Sequence, residues 1–267
     1  MGDKNNNVFE RIEKKYLLSE EKFNLLFQKI EPYMTIDKFG LHTICNIYYD
    51  TETFDLIRNS IEKPSYKEKF RLRSYGVPGE DSMVFLEIKK KYGRTVFKRR
   101  ISLSLNEAED YLERGIKPQK DSQILREIDY FIKLYNPIKK VFIAYDRVAL
   151  FGKEDESLRI TFDTDIRSRT HNLDLRKGDF GMAINNFSGY LMEIKTSASL
   201  PLWLARILSE LEIYPDSFSK YGSVYKQGLI NERLFEQSIH EELDEQQLIS
   251  KLNSSTNRRN IKCLQAS

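Results

Sequence analysis

The alternation of charge along five short stretches constrains this chain more than any other feature, because residues two apart in a strand share one face. Lys67, Lys69, Arg71 and Arg73 fall on one side of such a stretch, with Phe70 and Leu72 on the other. Glu87, Lys89 and Lys91 oppose Val84, Leu86 and Ile88, while Lys98 and Arg100 oppose Phe97, Ile101 and Leu103. Arg159, Thr161 and Asp163 oppose Leu158, Ile160 and Phe162, and Glu193 and Lys195 oppose Tyr190, Met192 and Ile194. Each stretch therefore has one charged and one apolar side, the pattern of half-buried antiparallel strands.

An open sheet with a solvated face accommodates any one of these strands. The set asks for more, because solvated faces mix Ser, Thr, Glu and Lys, whereas Lys67 to Arg73 places cations in succession about 7 Å apart. At an effective dielectric of about 20, neighbouring pairs repel by about 2 kcal/mol, and by less than ~1 kcal/mol in bulk water. An exposed ladder of this kind is tolerable, while an enclosed one demands an anion. The expected fold class is α+β: a closed antiparallel β-barrel, or tunnel, with a charged interior and helices packed on its apolar outside. Phosphate oxygens suit Arg forks and Lys point charges, and the acids among them suit a divalent cation bridging carboxylate to phosphate. The Glu87/Lys89 and Glu193/Lys195 pairs fit that reading and also fit plain salt bridges.

Around these strands the sequence predicts a helix from Ser19 to Ile30, with Ser19 as cap and Phe23, Leu26, Phe27 and Ile30 on one stripe. A strand follows at His42–Tyr49 and a short helix at Thr53–Glu62. A three-stranded meander spans Ser65–Tyr75, Met83–Lys91 and Arg94–Leu103, with turns at Gly76-Val-Pro-Gly79 and Tyr92-Gly93. Helices are expected at Asn106–Arg114, capped by Asn106, and at Ser122–Tyr135. Strands return at Lys139–Phe151, Leu158–Asp165 and Tyr190–Lys195, before a helix over Pro201–Leu211. The organisation expected is one domain over residues 1–235 and a polar, partly helical or disordered tail over 236–267.

The chain has 267 residues, of which 40% are hydrophobic and 31% charged, so it can bury a core but must give many charges a function or a solvated face. Its formal net charge of +3 does not mark it as a nucleic-acid or membrane-surface protein, so any basic site is local. Cys45 and Cys263 suggest neither a disulfide framework nor a thiolate metal site. The N-terminus lacks an apolar signal core, and no uninterrupted apolar run approaches membrane-spanning length. These features lead to the expectation of a cytoplasmic protein without a transmembrane segment. Three histidines and no HExxH disfavour zinc-hydrolase chemistry. Nucleic-acid binding is not expected, because the aromatics mostly take the apolar strand faces instead of interleaving with the cations. Gly222-Ser-Val-Tyr-Lys-Gln-Gly228 lacks the Lys-Ser/Thr of a P-loop, and Lys90-Lys-Tyr-Gly93 lacks the Asp of a lysine nucleotidyltransferase motif.

Taken in order, Arg11-Ile-Glu-Lys-Lys-Tyr16, Phe70-Arg-Leu-Arg-Ser-Tyr-Gly76, Phe85-Leu-Glu-Ile-Lys89, Val96-Phe-Lys-Arg-Arg100, Tyr145-Asp-Arg147, Leu158-Arg-Ile-Thr-Phe-Asp163, Leu191-Met-Glu-Ile-Lys195 and Phe218-Ser-Lys-Tyr221 resemble a known family. These segments, over roughly residues 8–230, are similar to the triphosphate tunnel metalloenzymes of the CYTH-like superfamily. Within it they resemble the polyphosphate polymerase domain of the vacuolar transporter chaperone complex and its stand-alone bacterial relatives. The resemblance implies a tunnel in which the terminal phosphate of ATP passes to a growing inorganic polyphosphate chain, with Mn²⁺ or Mg²⁺ as cofactor.

By the same resemblance, Arg71, Arg73, Lys89, Arg147 and Arg159 are the expected catalytic cations, and Lys15, Lys98, Arg100, Lys195 and Lys220 the expected substrate ligands. Glu193 is the expected principal metal ligand and Glu13 a second. Arg11 stands where the wider superfamily's ExExK signature has its first Glu, which fits a longer anionic chain better than hydrolysis. Two alternatives stay open at this stage: a tunnel-type triphosphatase acting on inorganic or nucleoside triphosphate, and a non-catalytic polyphosphate-binding protein.

Overall fold

The computed structural model describes residues 12–93, 95–119, 121–184, 188–197 and 199–228. Arg11 and the expected tail over 236–267 lie outside the described residues. The chain divides into two units, Met1–Val224 and Tyr225–Ser267, and all the elements below belong to the first.

The N-terminal part runs β1 (Ile12–Leu18), α1 (Glu20–Ile30), β2 (Met34–Ile36), β3 (His42–Asp50) and α2 (Asp55–Ile61). The expected meander follows as β4 (Tyr66–Tyr75), β5 (Met83–Tyr92) and β6 (Thr95–Ser104), succeeded by α3 (Leu105–Arg114) and α4 (Gln123–Tyr135). The remainder comprises β7 (Ile138–Gly152), β8 (Arg159–Arg169), β9 (Met182–Ala183), β10 (Tyr190–Thr196) and α5 (Leu202–Glu210).

Local chemistry explains most boundaries. Ser19 caps α1 as expected, its side chain accepting from the Lys22 amide at 3.2 Å. Helix α3 starts earlier than expected. Its cap is Ser104 and not Asn106: the Ser104 hydroxyl accepts from the Glu107 amide at 3.2 Å, and the Glu107 carboxylate accepts from the Ser104 amide at 2.9 Å. That reciprocal pair satisfies two otherwise orphaned donors, which a lone Asn cannot do. Gly76 and Gly93 close the two meander turns with positive φ, a backbone state that side chains disfavour. Strand β8 runs past the expected Asp165 to Arg169, and Asp165 itself has a φ of 46° beside an irregularity in the β7–β8 register.

Among the described residues, ten strands form one antiparallel sheet in the order β1-β10-β8-β7-β3-β4-β5-β6, with β2 and β9 attached to β7 and β8. The expectation of a closed barrel is therefore corrected: among the described residues the sheet is curled but open, with β1 and β6 at its two ends and not paired to each other. Two observations show how near the sheet comes to closing and what lies at its edge. The curl is strong enough that Glu13 on β1 meets Lys89 on β5 at 3.2 Å, six pairings away along the sheet. Yet the outer edge of β1 is already engaged, because the Asp216 amide donates to the Lys15 carbonyl at 2.8 Å in an isolated bridge. At Lys15 the outer edge of β1 is thus taken by a returning segment and not by β6.

Helices cover the apolar convex side, as expected. Against α3 and α4 pack Phe70, Leu72, Leu86, Ile88 and Ile101, with Ala108, Ile128 and Phe131 facing them from the helices. A second core joins Leu26 and Ile30 of α1 and Leu204 and Leu208 of α5 to Tyr16, Ile160, Phe162, Met192 and Ile194. Burial of these apolar faces turns the opposite, charged faces together toward the concave side. Among the described residues, no helix is long and apolar enough to cross a membrane.

Candidate functional site

Strand register decides which charges meet. Arg71 pairs with Glu87 and Glu87 with Arg100; Lys69 pairs with Lys89 and Lys89 with Lys98. On the other wall Lys15 pairs with Glu193, Glu13 with Lys195, Lys195 with Arg159, and Arg147 with Asp163. Directly paired residues point to the same face, so one concave trough receives all of these side chains.

Glu87 organises the first wall. Its Oε2 accepts from Arg71 Nε at 2.8 Å and Nη2 at 2.6 Å, while Oε1 lies 2.8 Å from Lys98 Nζ and 3.6 Å from Arg100 Nε. The side chain is only 2% exposed. Burial opposes its ionisation, but Arg71, Arg73 and Lys98 outweigh burial and hold the carboxyl far below the usual range. Arg73 is fixed separately: its Nε donates to Asn46 Oδ1 at 2.8 Å and its Nη2 to the Tyr145 hydroxyl at 2.9 Å.

Asp163 organises the second wall. It accepts from Arg147 Nε at 2.5 Å and Nη2 at 2.8 Å, and from Lys220 Nζ at 2.5 Å. Burial pushes its pKa up, and Lys220 and Arg147 more than reverse this, to about 2. Lys220 also sits 4.2 Å over the ring of Tyr145. Tyr145 is thus enclosed by cations from three elements; burial opposes its ionisation, yet Arg73, Arg147 and Lys220 bring its hydroxyl down to about 8.

Between the walls the balance tips to excess positive charge. Lys69 donates to Ser219 Oγ at 2.8 Å, and burial, followed by Lys15, Lys89, Lys67 and Arg71, pulls its ammonium down to about 7. Lys15 donates to the Phe218 carbonyl at 3.0 Å. Burial lowers it to about 8, with Glu193 and Glu13 opposing and Lys220 and Lys89 adding to the shift.

Glu13 and Glu193 are diagonal neighbours on the paired strands β1 and β10, Glu13 opposite Lys195 and Glu193 opposite Lys15. Burial disfavours the Glu193 charge, but Lys195, the contact with Glu13, Lys15 and Lys89 hold its carboxyl well below the usual range. Lys195 lies 3.0 Å from Glu193. Among the described residues, no group of three or more His, Cys, Asp and Glu side chains forms a complete cage for a metal ion. Two converging carboxylates still fit a Mg²⁺- or Mn²⁺-class ion, because such ions are commonly held by one or two carboxylates with phosphate oxygens completing the shell.

The structure brings Lys15, Arg71, Arg73, Lys89, Lys98, Arg100, Arg147, Lys195, Lys220, Glu13 and Glu193 to the concave side. Arg159 shares that face through its pairing with Lys195, but it is exposed. Lys220, predicted from resemblance alone, is held against Asp163 because a helical segment begins at residue 220 and faces the trough. Asn46, Tyr48, Lys69, Glu87 and Tyr145 were missing from the predicted set. Lys69 and Glu87 carried the same parity signal as their neighbours, and Tyr145 lies two residues before Arg147. Asn46 and Tyr48 stand in the mostly apolar stretch His42–Asp50, where periodicity gave no sign of a polar face.

The VTC domain matches residues 10–228. No curated protein matches the chain. Among solved structures, a candidate adenylate cyclase from Bacillus halodurans is 16% identical with a TM-score of 0.50, over 78% of this chain and 93% of its own. A candidate adenylyl cyclase from Hippeastrum, described as having a dominant triphosphatase activity, is 17% identical with a TM-score of 0.48, over 82% of this chain and 96% of its own. With the VTC domain match spanning most of its length and the charged concave face built from that same span, the chain belongs to the VTC domain family.

Proposed function

We propose that the protein transfers the terminal phosphate of ATP to a growing inorganic polyphosphate chain within the trough, the catalytic domain lying in residues 1–235. The observation that carries this reading is the crowding of Lys15 and Lys69 between walls whose acids, Glu87 and Asp163, are committed to other cations, with Lys89, itself paired to Glu13, adding its charge to both. Crowded, desolvated ammonium groups repel one another and are stabilised by a multivalent anion. A linear phosphate chain supplies that charge along the length of the strands. Membership of the VTC domain family supports the same substrate class.

The chemistry needs no nucleophilic side chain, since phosphoryl transfer rests on positioning and charge neutralisation. In the proposed step a terminal oxygen of the acceptor chain attacks the γ-phosphorus of ATP. The bond from that phosphorus to the β,γ-bridging oxygen breaks, and ADP leaves with the bonding electrons. Arg71, Arg73 and Arg147 are held in place by Glu87, Asn46 and Asp163, so the N–H groups those partners leave over need little reorganisation to neutralise the equatorial oxygens. Lys89 and Lys15 hold the anionic chain in line. Glu193 and Glu13 would hold a divalent cation, which when bound supplies further neutralisation of phosphate charge.

Purified protein incubated with ATP and Mn²⁺ should make phosphate chains longer than the substrate, resolved on a gel. Arg73→Ala and Lys89→Ala should each lose most of that synthesis while remaining folded. Undiminished synthesis in both variants would refute the assignment. Release of orthophosphate alone would establish hydrolysis of triphosphate as the activity.

A further inference from the structure

The two ends of the trough differ on the same three strands. At one end the concave face of β4 and β5 carries Lys67, Lys69, Lys89 and Lys91, with Lys67 directly opposite Lys91 and Lys69 opposite Lys89. At the other end, beyond Arg73, the concave face turns aromatic. Tyr75 and Phe85 stand edge to face with centroids 5.6 Å apart, and His42 lies 6.0 Å from Tyr75. The Arg100 guanidinium lies 3.5 Å over the Phe85 ring and 5.6 Å from that of Tyr75, and its Nη2 donates to the Tyr75 hydroxyl at 3.4 Å.

This rim is not core. Apolar residues of β4 that serve the core, Phe70 and Leu72, point to the convex side, whereas Tyr75 shares the parity of Arg71 and Arg73 and is 51% exposed. Its ring is nevertheless held, since Phe85 and Arg100 both contact it. A half-exposed aromatic ring, locked by an arginine at the mouth of a cationic trough, presents a flat surface where a planar heterocycle attached to a phosphate chain would emerge. Base stacking on Tyr, reinforced by an adjacent guanidinium, is a sequence-tolerant way to hold a nucleoside.

We propose that the Tyr75–Phe85–Arg100 rim seats the base of the nucleoside triphosphate donor, with the triphosphate running inward past Arg100 toward Arg71 and Arg73. This rests on the reading of the trough as a nucleotide-dependent phosphotransferase site. The seat favours purines, whose larger rings cover more of the platform.

The test compares two ligands of equal phosphate number on the full-length protein in the presence of Mg²⁺: ATP, which has a base, and inorganic tripolyphosphate, which has none. By calorimetry, Tyr75→Ala should weaken ATP binding roughly tenfold, the scale of one lost base–aromatic stack. Tripolyphosphate affinity should stay within about twofold of the wild-type value, which also reports that the variant is folded. Tyr75→Phe keeps the ring and should bind ATP as wild type does. In the wild-type protein, the fluorescence of an etheno-adenosine triphosphate should be quenched on binding, and unquenched bound probe overturns the seat. Equal weakening of both ligands, or unchanged ATP affinity in Tyr75→Ala, overturns it as well. Selective loss of ATP affinity supports the seat even where no chain synthesis is seen, whereas a wild-type protein that binds tripolyphosphate and not ATP removes the nucleotide-donor reading itself.

Discussion

Replacing Glu87 by Gln tests whether the trough is enclosed or merely a charged surface. The substitution preserves size but removes the one carboxylate shared by Arg71, Lys98 and Arg100, with Arg73 3.9 Å away. Were the cluster well hydrated, losing one ion pair would cost the ~0–1 kcal/mol typical of surface pairs. Glu87 is 2% exposed, however, and removing one partner of a buried pair leaves uncompensated charge that costs about 3–5 kcal/mol. For a protein of this size that corresponds to a fall in Tm of roughly 6–20 °C. The half-exposed Lys29–Glu210 pair provides the control: Glu210→Gln should move Tm by about 4 °C or less. The cationic cluster left by Glu87→Gln should also gain more from a polyanion than the wild type does. Tripolyphosphate at about 100 times its Kd stabilises by roughly 2.7 kcal/mol, and tighter binding to the variant would make the ligand-induced Tm shift larger. Thermal denaturation with and without tripolyphosphate reads both effects. A Glu87→Gln protein melting within about 2 °C of wild type, with an unchanged ligand shift, would refute the claim that these charges are shielded from water.

Ser104→Ala removes the reciprocal cap of α3 and should cost about 1 kcal/mol in denaturant unfolding while leaving phosphate binding unaltered. The depressed ammonium groups set a pH dependence with a definite sign. Lys15 and Lys69, lowered to about 8 and about 7, are proton-poor in the folded protein relative to the unfolded chain, and Tyr145, lowered to about 8, acts in the same direction. These groups therefore make the ligand-free protein more stable as pH rises from about 7 toward 10, measurable by chemical denaturation at several pH values. Polyanion binding re-protonates the lysines, so affinity should fall above about pH 8, and binding should take up protons, seen as a calorimetric enthalpy that varies with the buffer's ionisation heat. Glu193→Gln should weaken Mn²⁺ binding in the presence of tripolyphosphate at least tenfold, followed by the metal's paramagnetic signal; retained affinity would exclude Glu193 as its ligand.

The charge alternation made the concave face legible because parity is a local property: once β4, β5, β6, β8 and β10 are strands, Lys69 and Arg71 cannot point anywhere but opposite Phe70 and Leu72. Closure is not local, and there the sequence reading overshot. Whether β1 meets β6 depends on what else competes for the edge of β1. The competitor is a backbone amide at Asp216, some two hundred residues away, with no side-chain signature. The same returning segment brings Ser219 to Lys69 and Lys220 to Asp163, so the feature that leaves the sheet open also completes the site. Tyr145 illustrates the complementary limit. Its hydroxyl matters because Arg73, Arg147 and Lys220 reach it from three different elements, and no window of sequence contains all three. A barrel closed by β1–β6 hydrogen bonds would leave the edge of β1 no room for Asp216, and the cation that neutralises Asp163 from outside the sheet would lose its anchor. The return of the chain past Lys15 is thus what brings Lys220 onto Asp163 from outside the sheet, beside Arg147 from within it.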